Sequence, residues 1–139
     1  MRQNIDPTKE QFEHFKSLPR DRPIMMLNLI ALNHVATYKD KRDASGAEAY
    51  KAYSEASGPI FRSVGGEIIW RGQPESVLIG PSNEKWDIAF IAQYPNAAAF
   101  LKMVTNPDYQ AIVYHRQAAV QDSRLIRMGE TGVGTGFLG

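Results

Sequence analysis

The side chains of this chain that could do chemistry are polar and aromatic groups on faces that the sequence pattern turns inward. They are Asn28, Tyr50, Tyr53, Trp70, Asp87 and Arg116. Binding pockets usually combine apolar walls with a few convergent polar groups. We therefore predict that these six residues line a small-molecule pocket between a sheet and its helices. Catalytic residues remain unknown, because no motif is specific enough to name a reaction.

Arg116 is the most informative of the six, because it lies near the middle of an apolar helical stripe. The stripe is formed by Tyr109, Ile112, Val113, Ala119 and Val120. An arginine is always charged, and burying it without a partner costs on the order of several kcal/mol. The first expectation is an ion pair with Asp87 or Glu67. The alternative is a ligand, whose carboxylate or enolate oxygen Arg116 would bind.

Three further polar groups could orient such a ligand. Tyr50 and Tyr53 share one face of a predicted helix, and Asn28 interrupts an apolar strand. Buried hydroxyl and amide groups normally find a hydrogen-bond partner, so each could equally be a satisfied core residue. Both interpretations stay open for all three.

Other kinds of site are not supported by the sequence. The three histidines, His14, His34 and His115, have no metal-ligand spacing, and no catalytic triad, phosphate loop or carboxylate pair is recognisable. The run Gly132–Gly136 is followed by no helix, so it is not a dinucleotide loop. We predict neither a metal nor a cofactor.

The elements that would position the site are clearest between Trp86 and Met128. Trp86–Tyr94 alternates as a strand with two apolar faces, and Asn96 is an N-cap residue for a first helix. Asn106 and Pro107 begin a second helix, and residues 123–128 predict the last strand.

Upstream, the pattern predicts a buried strand over Pro23–Asn33 and a helix that begins with a capping box at Ser45 and Glu48. Gly58-Pro59 should kink or break that helix. In the next strand, Glu67–Arg71, Ile68 and Trp70 should share one face. Ser76–Gly80 is read as a short strand.

The N-terminus predicts an additional helix, which begins at Asp6-Pro7 and buries a stripe of Phe12, Phe15 and Leu18. The remaining elements follow the order strand, helix, strand, strand, helix, strand. This order is that of a ferredoxin-like βαββαβ unit, an α+β fold with an antiparallel four-stranded sheet. Such a sheet carries helices on one face only. The other face is apolar on at least two strands, which predicts a homodimer through that face.

Composition fits a single domain over residues 1–139, with a core over 23–128, an N-terminal helical extension over 1–22 and a glycine-rich tail over 129–139. Lysine and arginine total 16 against 15 acidic residues, a balance that favours neither nucleic acid nor an anionic membrane as a partner. Cysteine is absent, and neither a signal peptide nor a transmembrane run is recognisable. We expect a cytoplasmic protein.

The spaced residues also resemble a known family. The pattern comprises Tyr94-Pro95, Ala97–Phe100, Asn106–Gln110, Arg116 and Ser123–Ile126, with Tyr50, Tyr53, Pro59, Gly65-Gly66 and Gly72 upstream. It resembles the domain-of-unknown-function family numbered 1330, over about residues 23–128. The resemblance implies a dimeric α/β barrel, in which the sheets of two subunits pack together. It implies no activity.

Two classes of function therefore stay open. One is a cofactor-independent enzyme, such as a monooxygenase or isomerase, by analogy of fold alone. The other is a non-catalytic binding or structural dimer. Some dimeric barrels bind haem through a helix histidine, which makes His115 worth testing, although a surface position is expected for it.

Overall fold

The sheet has four antiparallel strands. A computed structural model describes residues 4–139, in which the strands are β1 (Ile24–Leu32), β2 (Glu67–Gly72), β3 (Ile88–Tyr94) and β4 (Val120–Met128). Their spatial order is β2-β3-β1-β4, and each neighbouring pair is antiparallel. This is the arrangement of the split βαβ unit, so the α+β, ferredoxin-like fold is confirmed.

Within residues 4–139, five helices accompany the sheet: α1 (Lys9–Ser17), α2 (Gly46–Ser63), α3 (Ala97–Thr105), α4 (Pro107–Gln110) and α5 (Tyr114–Ala119). The additional N-terminal helix is confirmed as α1, although Thr8 caps it through a capping box with Gln11, so the predicted start at Asp6-Pro7 was wrong. The caps at Ser45, Asn96 and Asn106 are confirmed.

The helix-facing side of the sheet carries two separate groups of core residues. One group includes Ile30 and Val120, and the other includes Ile24, Met26 and Tyr94. Asn28 lies on the same face of β1, between Met26 and Ile30, and it belongs to neither group. A polar residue therefore occupies the middle strand where the apolar core is interrupted.

Strand β2 differs from the prediction in the side chains that it turns to each face of the sheet. Its register against β3 shifts between Ile68, which lies opposite Ala92, and Trp70, which lies opposite Ile91. Consecutive residues of β3 point to opposite faces, so Ile68 faces the helices and Trp70 faces away from them. The prediction that the two share a face was wrong, because a β-bulge interrupts the alternation.

Two other local predictions were wrong, and a third was wrong in part. Helix α2 is not broken at Pro59: the residue one turn earlier, Glu55, is exposed, so water can satisfy the carbonyl that loses its amide donor. The predicted second helix is divided into α4 and α5, and Val120 already belongs to β4. Residues 76–80 form a loop, in which Leu78 and Ile79 are each 92% exposed.

The C-terminal residues lie outside the sheet. Residues 129–139 are exposed and contain neither helix nor strand. Between residues 4 and 139, no helix is both long enough and apolar enough to cross a membrane. The division into extension, core and tail stays a prediction.

Candidate functional site

A cleft of about 1410 Å³ lies between the helix-facing side of the sheet and helices α1 to α5. We call it the central cleft. Four of the six predicted site residues line it, namely Asn28, Tyr50, Tyr53 and Arg116. Its walls are largely aromatic and aliphatic, with contributions from Phe12, Phe61 and Phe90. It has the mixture of apolar surface and few polar groups that small-molecule sites have.

Arg116 lies on α5 with its guanidinium at the wall of the central cleft. Nη1 donates a hydrogen bond to the carbonyl oxygen of Ile5, at 2.5 Å, and Nη2 donates to the hydroxyl oxygen of Ser123, at 3.3 Å. Both acceptors are neutral. Within residues 4–139, no carboxylate lies within 4.0 Å of this guanidinium. The expected ion pair with Asp87 or Glu67 was therefore wrong.

The two acceptors are themselves fixed by a short network. The Ser123 hydroxyl donates to the carbonyl of Asn4, at 2.6 Å. Asp122 accepts hydrogen bonds from the backbone amide and the side chain of Asn4, at 3.0 and 3.2 Å. Because Ile5 is buried, with 5% of its surface exposed, its carbonyl has a defined position. The network orients the guanidinium without neutralising its charge.

Three tyrosines add further polar groups to the wall of the cleft. The hydroxyls of Tyr53 on α2 and Tyr109 on α4 are hydrogen-bonded at 2.8 Å, and the rings of Tyr50 and Tyr53 lie 5.5 Å apart. Burial raises the pKa of Tyr50 and of Tyr109, and the neighbouring Tyr53 raises both further, whereas the charge of Arg116 opposes the shift. These two hydroxyls stay protonated at neutral pH and can donate hydrogen bonds.

Two polar atoms of this wall and floor have no partner in the part of the chain that the structure describes. The Tyr50 hydroxyl makes no hydrogen bond to another residue, and it is not sealed off from solvent. Asn28 donates from its side-chain nitrogen to the Met26 carbonyl, at 3.0 Å, while its side-chain oxygen remains free as an acceptor. Both are available to a ligand.

The other two predicted site residues lie outside the central cleft. Trp70 is on the outer face of the sheet, 55% exposed, because of the bulge in β2. Asp87 is exposed and closes the end of β1: its carboxylate accepts from the Leu32 amide, at 2.7 Å, and its own amide donates to the Ile30 carbonyl. The Asp87 carboxylate therefore has a structural role at the end of β1.

His115 lies away from the central cleft, on the other side of α5. Its Nδ1 is 2.6 Å from the hydroxyl oxygen of Tyr38, and the guanidinium of Arg42 stacks on the Tyr38 ring, at 4.2 Å. Burial, with a smaller contribution from Arg42, lowers the pKa of His115. No group of three potential ligands within residues 4–139 is arranged to hold a metal ion.

Sequence reasoning missed three contributors to the site. Tyr109 was assigned to the apolar stripe, although its position two residues after Pro107 on a short helix brings its hydroxyl to Tyr53. Ser123 shares the helix-facing side of β4, which its pairing with Ile30 shows. Nothing in the sequence points to the Ile5 carbonyl, because every residue carries a backbone carbonyl that could accept this hydrogen bond.

Comparison with known proteins gives the family. The model of a domain of unknown function, DUF1330, matches residues 39–129, more than half of the chain. Among curated proteins, none matches the chain. Of the solved structures, the methylated RPA0582 protein is 51% identical, with a TM-score of 0.94, over 97% of this chain and 100% of that one.

A second structure of RPA0582, described as a protein of unknown function from Rhodopseudomonas palustris, is 52% identical, with a TM-score of 0.89, over 94% of this chain and 98% of that one. SnoaB, a cofactor-independent oxygenase from Streptomyces nogalater, is 12% identical, with a TM-score of 0.53, over 81% and 96% of the two chains. The likeness to SnoaB concerns the fold alone. The match over residues 39–129 shows that this chain belongs to the DUF1330 family of domains of unknown function.

Proposed function

We propose that this protein binds a small organic acid with a partly apolar body in the central cleft. The observation that carries the proposal is Arg116, a charged group in an aromatic-walled cleft whose two protein partners are the neutral oxygens of Ile5 and Ser123. A guanidinium held in this way keeps donors for the bidentate hydrogen bonds that carboxylates accept. The carboxylate of a ligand supplies the missing negative charge.

The remaining polar groups suit the rest of the ligand. Tyr50 offers a free hydroxyl and Asn28 a free side-chain oxygen, so a hydroxyl or keto group next to the carboxylate would find a partner. The apolar body would rest against Phe90 and Phe61. We therefore assign Arg116 to binding the charge, and Tyr50, Tyr53 and Asn28 to orienting the ligand.

The working form is a homodimer through the outer face of the sheet. Leu27, Leu29 and Ile91 share this face with Trp70 and Ile126, of which the last two are 55% and 47% exposed. None of these five belongs to a core group. An apolar sheet face of this kind is covered most economically by the same face of a second copy.

We also assign the protein to the cytoplasm.

A second candidate function is a cofactor-independent monooxygenase or isomerase. It is favoured by Arg116 beside two protonated tyrosines, a set of donors that would stabilise an enolate oxygen. The protein named as a cofactor-independent oxygenase shares the fold with this chain. Oxygen uptake or solvent-deuterium exchange by a bound ligand would separate catalysis from binding alone. A purely structural dimer predicts neither binding nor turnover.

The test starts with a native mass spectrum of the purified protein, in which a dimer with additional non-peptide mass supplies the ligand directly. Isothermal titration with straight-chain and aryl monocarboxylates follows, and the primary amide of each acid serves as its uncharged control. We expect the acids to bind, the amides to bind at least about tenfold more weakly, and Arg116→Met to abolish the difference. Equal affinity for acid and amide would overturn the proposal.

A further inference from the structure

The N-terminal segment is attached to the central cleft at two places. At its start, Asn4 and Ile5 are fixed to Asp122, Ser123 and Arg116 through the network described above. At its end, Arg127 of β4 donates hydrogen bonds to the carbonyls of Phe15 and Pro19, at 3.3 and 2.5 Å. Helix α1 lies between these two attachments in the chain.

Helix α1 is amphipathic, but none of its residues is buried. The Phe15 ring packs at a tilt of 45° against Phe100, with 5.0 Å between ring centroids, and the guanidinium of Arg127 lies over it, at 4.9 Å. Phe12, one turn earlier, lines the central cleft and is half-buried, and the Lys16 ammonium covers its ring at 5.1 Å. Both rings line the cleft, but Phe15 also docks the helix on Phe100, whereas the Phe12 ring has no aromatic partner within residues 4–139 and serves only as a wall of the cleft.

We propose that Phe12 of helix α1 sets the length of the apolar body that the central cleft accepts. This inference rests on the proposed function, since it concerns the tail of the acid whose carboxylate Arg116 binds. The segment that carries Phe12 lies outside residues 39–129, the part of the chain that the family model matches. Ligand length is therefore set by a segment outside the matched region, whereas the charge is bound by Arg116 within it.

Burial of the methylene groups of the acid is the physical basis for selecting its length. A straight-chain acid gains roughly fourfold in affinity for each methylene that it buries, until its tail meets a wall. Phe12 supplies that wall, so affinity rises with chain length up to an optimum and then falls. A smaller side chain at position 12 moves the optimum to longer acids, and a larger one moves it to shorter acids.

The experiment titrates a homologous series of straight-chain monocarboxylates against the full chain and against Phe12→Ala, Phe12→Leu and Phe12→Trp. Glu10→Ala, an exposed position on the same helix, is the matched control. We expect the optimum to move by about two to four methylenes towards longer acids in Phe12→Ala, less in Phe12→Leu, and towards shorter acids in Phe12→Trp. Glu10→Ala should keep the wild-type optimum.

A purely structural role for Phe12 gives a different result. If the alanine and tryptophan variants weaken all acids by the same factor, with the optimum unmoved, α1 serves only to support Arg116 and the length role is overturned. An unchanged series in all variants overturns it as well. If the wild-type protein binds no acid, the proposed function fails and this inference falls with it, so the two failures are distinguishable.

Discussion

The Arg116 guanidinium donates a hydrogen bond to the carbonyl of Ile5, a residue 111 positions earlier in the chain. This contact joins the N-terminal segment to α5, a helix within the part of the chain that the family model matches. It holds the guanidinium in place through a neutral acceptor, so the positive charge remains available. An ion pair would have fixed the same side chain and removed its charge from the cleft.

Arg116→Met should weaken the fold only moderately. The substitution removes two hydrogen bonds to neutral acceptors, so we expect the free energy of unfolding to fall by about 1–3 kcal/mol. Breaking a buried ion pair would cost more, about 3–5 kcal/mol, because it leaves a carboxylate unpaired. Urea denaturation measures the difference, with Arg116→Lys as the variant that keeps the charge. A variant with unchanged stability and unchanged binding of acids would remove Arg116 from the site.

The hydroxyl pair of Tyr53 and Tyr109 should show strong coupling in a double-mutant cycle. Replacing either tyrosine by phenylalanine leaves the other hydroxyl short of its partner, which costs about 1–3 kcal/mol, whereas removing both hydroxyls is nearly neutral. Tyr50→Phe is the control, because its hydroxyl has no partner within residues 4–139 and its loss should change stability by no more than about 0.5 kcal/mol. Additive effects of the two single changes would argue against the hydrogen bond.

The stability of the protein should fall at high pH. Burial raises the pKa of Tyr50, Tyr94 and Tyr109 above the ordinary value of 10.0, so the unfolded chain loses these protons first. Their contribution is fully present below pH 10 and is lost as the pH rises towards the folded pKa values. Each contributes a slope of up to about 1.4 kcal/mol per pH unit above 10. Urea unfolding in this range should show a shallower slope for Tyr109→Phe, and an identical slope would count against its burial.

A charge on the outer face of the sheet should dissociate the proposed homodimer. Trp70→Glu and Ile126→Glu each place a carboxylate in an apolar contact, where an unpaired charge is costly. Sedimentation velocity should show a dimer for the wild-type protein and a monomer for either variant. Leu78→Glu, on an exposed loop beyond β2, is the control and should leave the dimer intact. Dissociation by the control alone would move the interface from the sheet to that loop.

Gly46→Ala should destabilise the start of α2, the helix that carries Tyr50 and Tyr53. A Cβ atom at Gly46 would lie 1.9 Å from the carbonyl oxygen of Asn33, so the backbone must move. We expect a loss of about 1–3 kcal/mol, measured by thermal unfolding. Gly129→Ala has nothing within 4 Å of the added atom and should change stability by no more than about 0.5 kcal/mol. Equal effects of the two changes would contradict the close contact.

Most of the fold was predictable, because the deciding signals are local. The capping box of Ser45 and Glu48 and the N-cap at Asn96 are formed by residues three positions apart, and both are present. The predictions that failed also have physical reasons. Alternation cannot reveal the bulge that separates Ile68 from Trp70, and the proline rule overlooked the solvent beside Glu55.

The candidate site was predictable only in part. Asn28, Tyr50, Tyr53 and Arg116 were found because each is a polar group on an otherwise apolar face. The partner of Arg116 was not predicted, because nothing in the sequence marks the Ile5 carbonyl. The acid that was expected there, Asp87, accepts a hydrogen bond from the Leu32 amide instead. Side-chain chemistry is visible in a sequence, whereas long-range backbone acceptors are not.

The bulge in β2 also leaves one residue of the strand without a role in pairing. Ile69 is the additional residue, since Ile68 and Trp70 already lie opposite consecutive positions of β3. A relative that lacked Ile69 would keep every pairing of the strand, with Ile68 still inward and Trp70 still outward. Deletion of Ile69 would thus shorten β2 by one residue while both the cleft and the outer face keep their side chains.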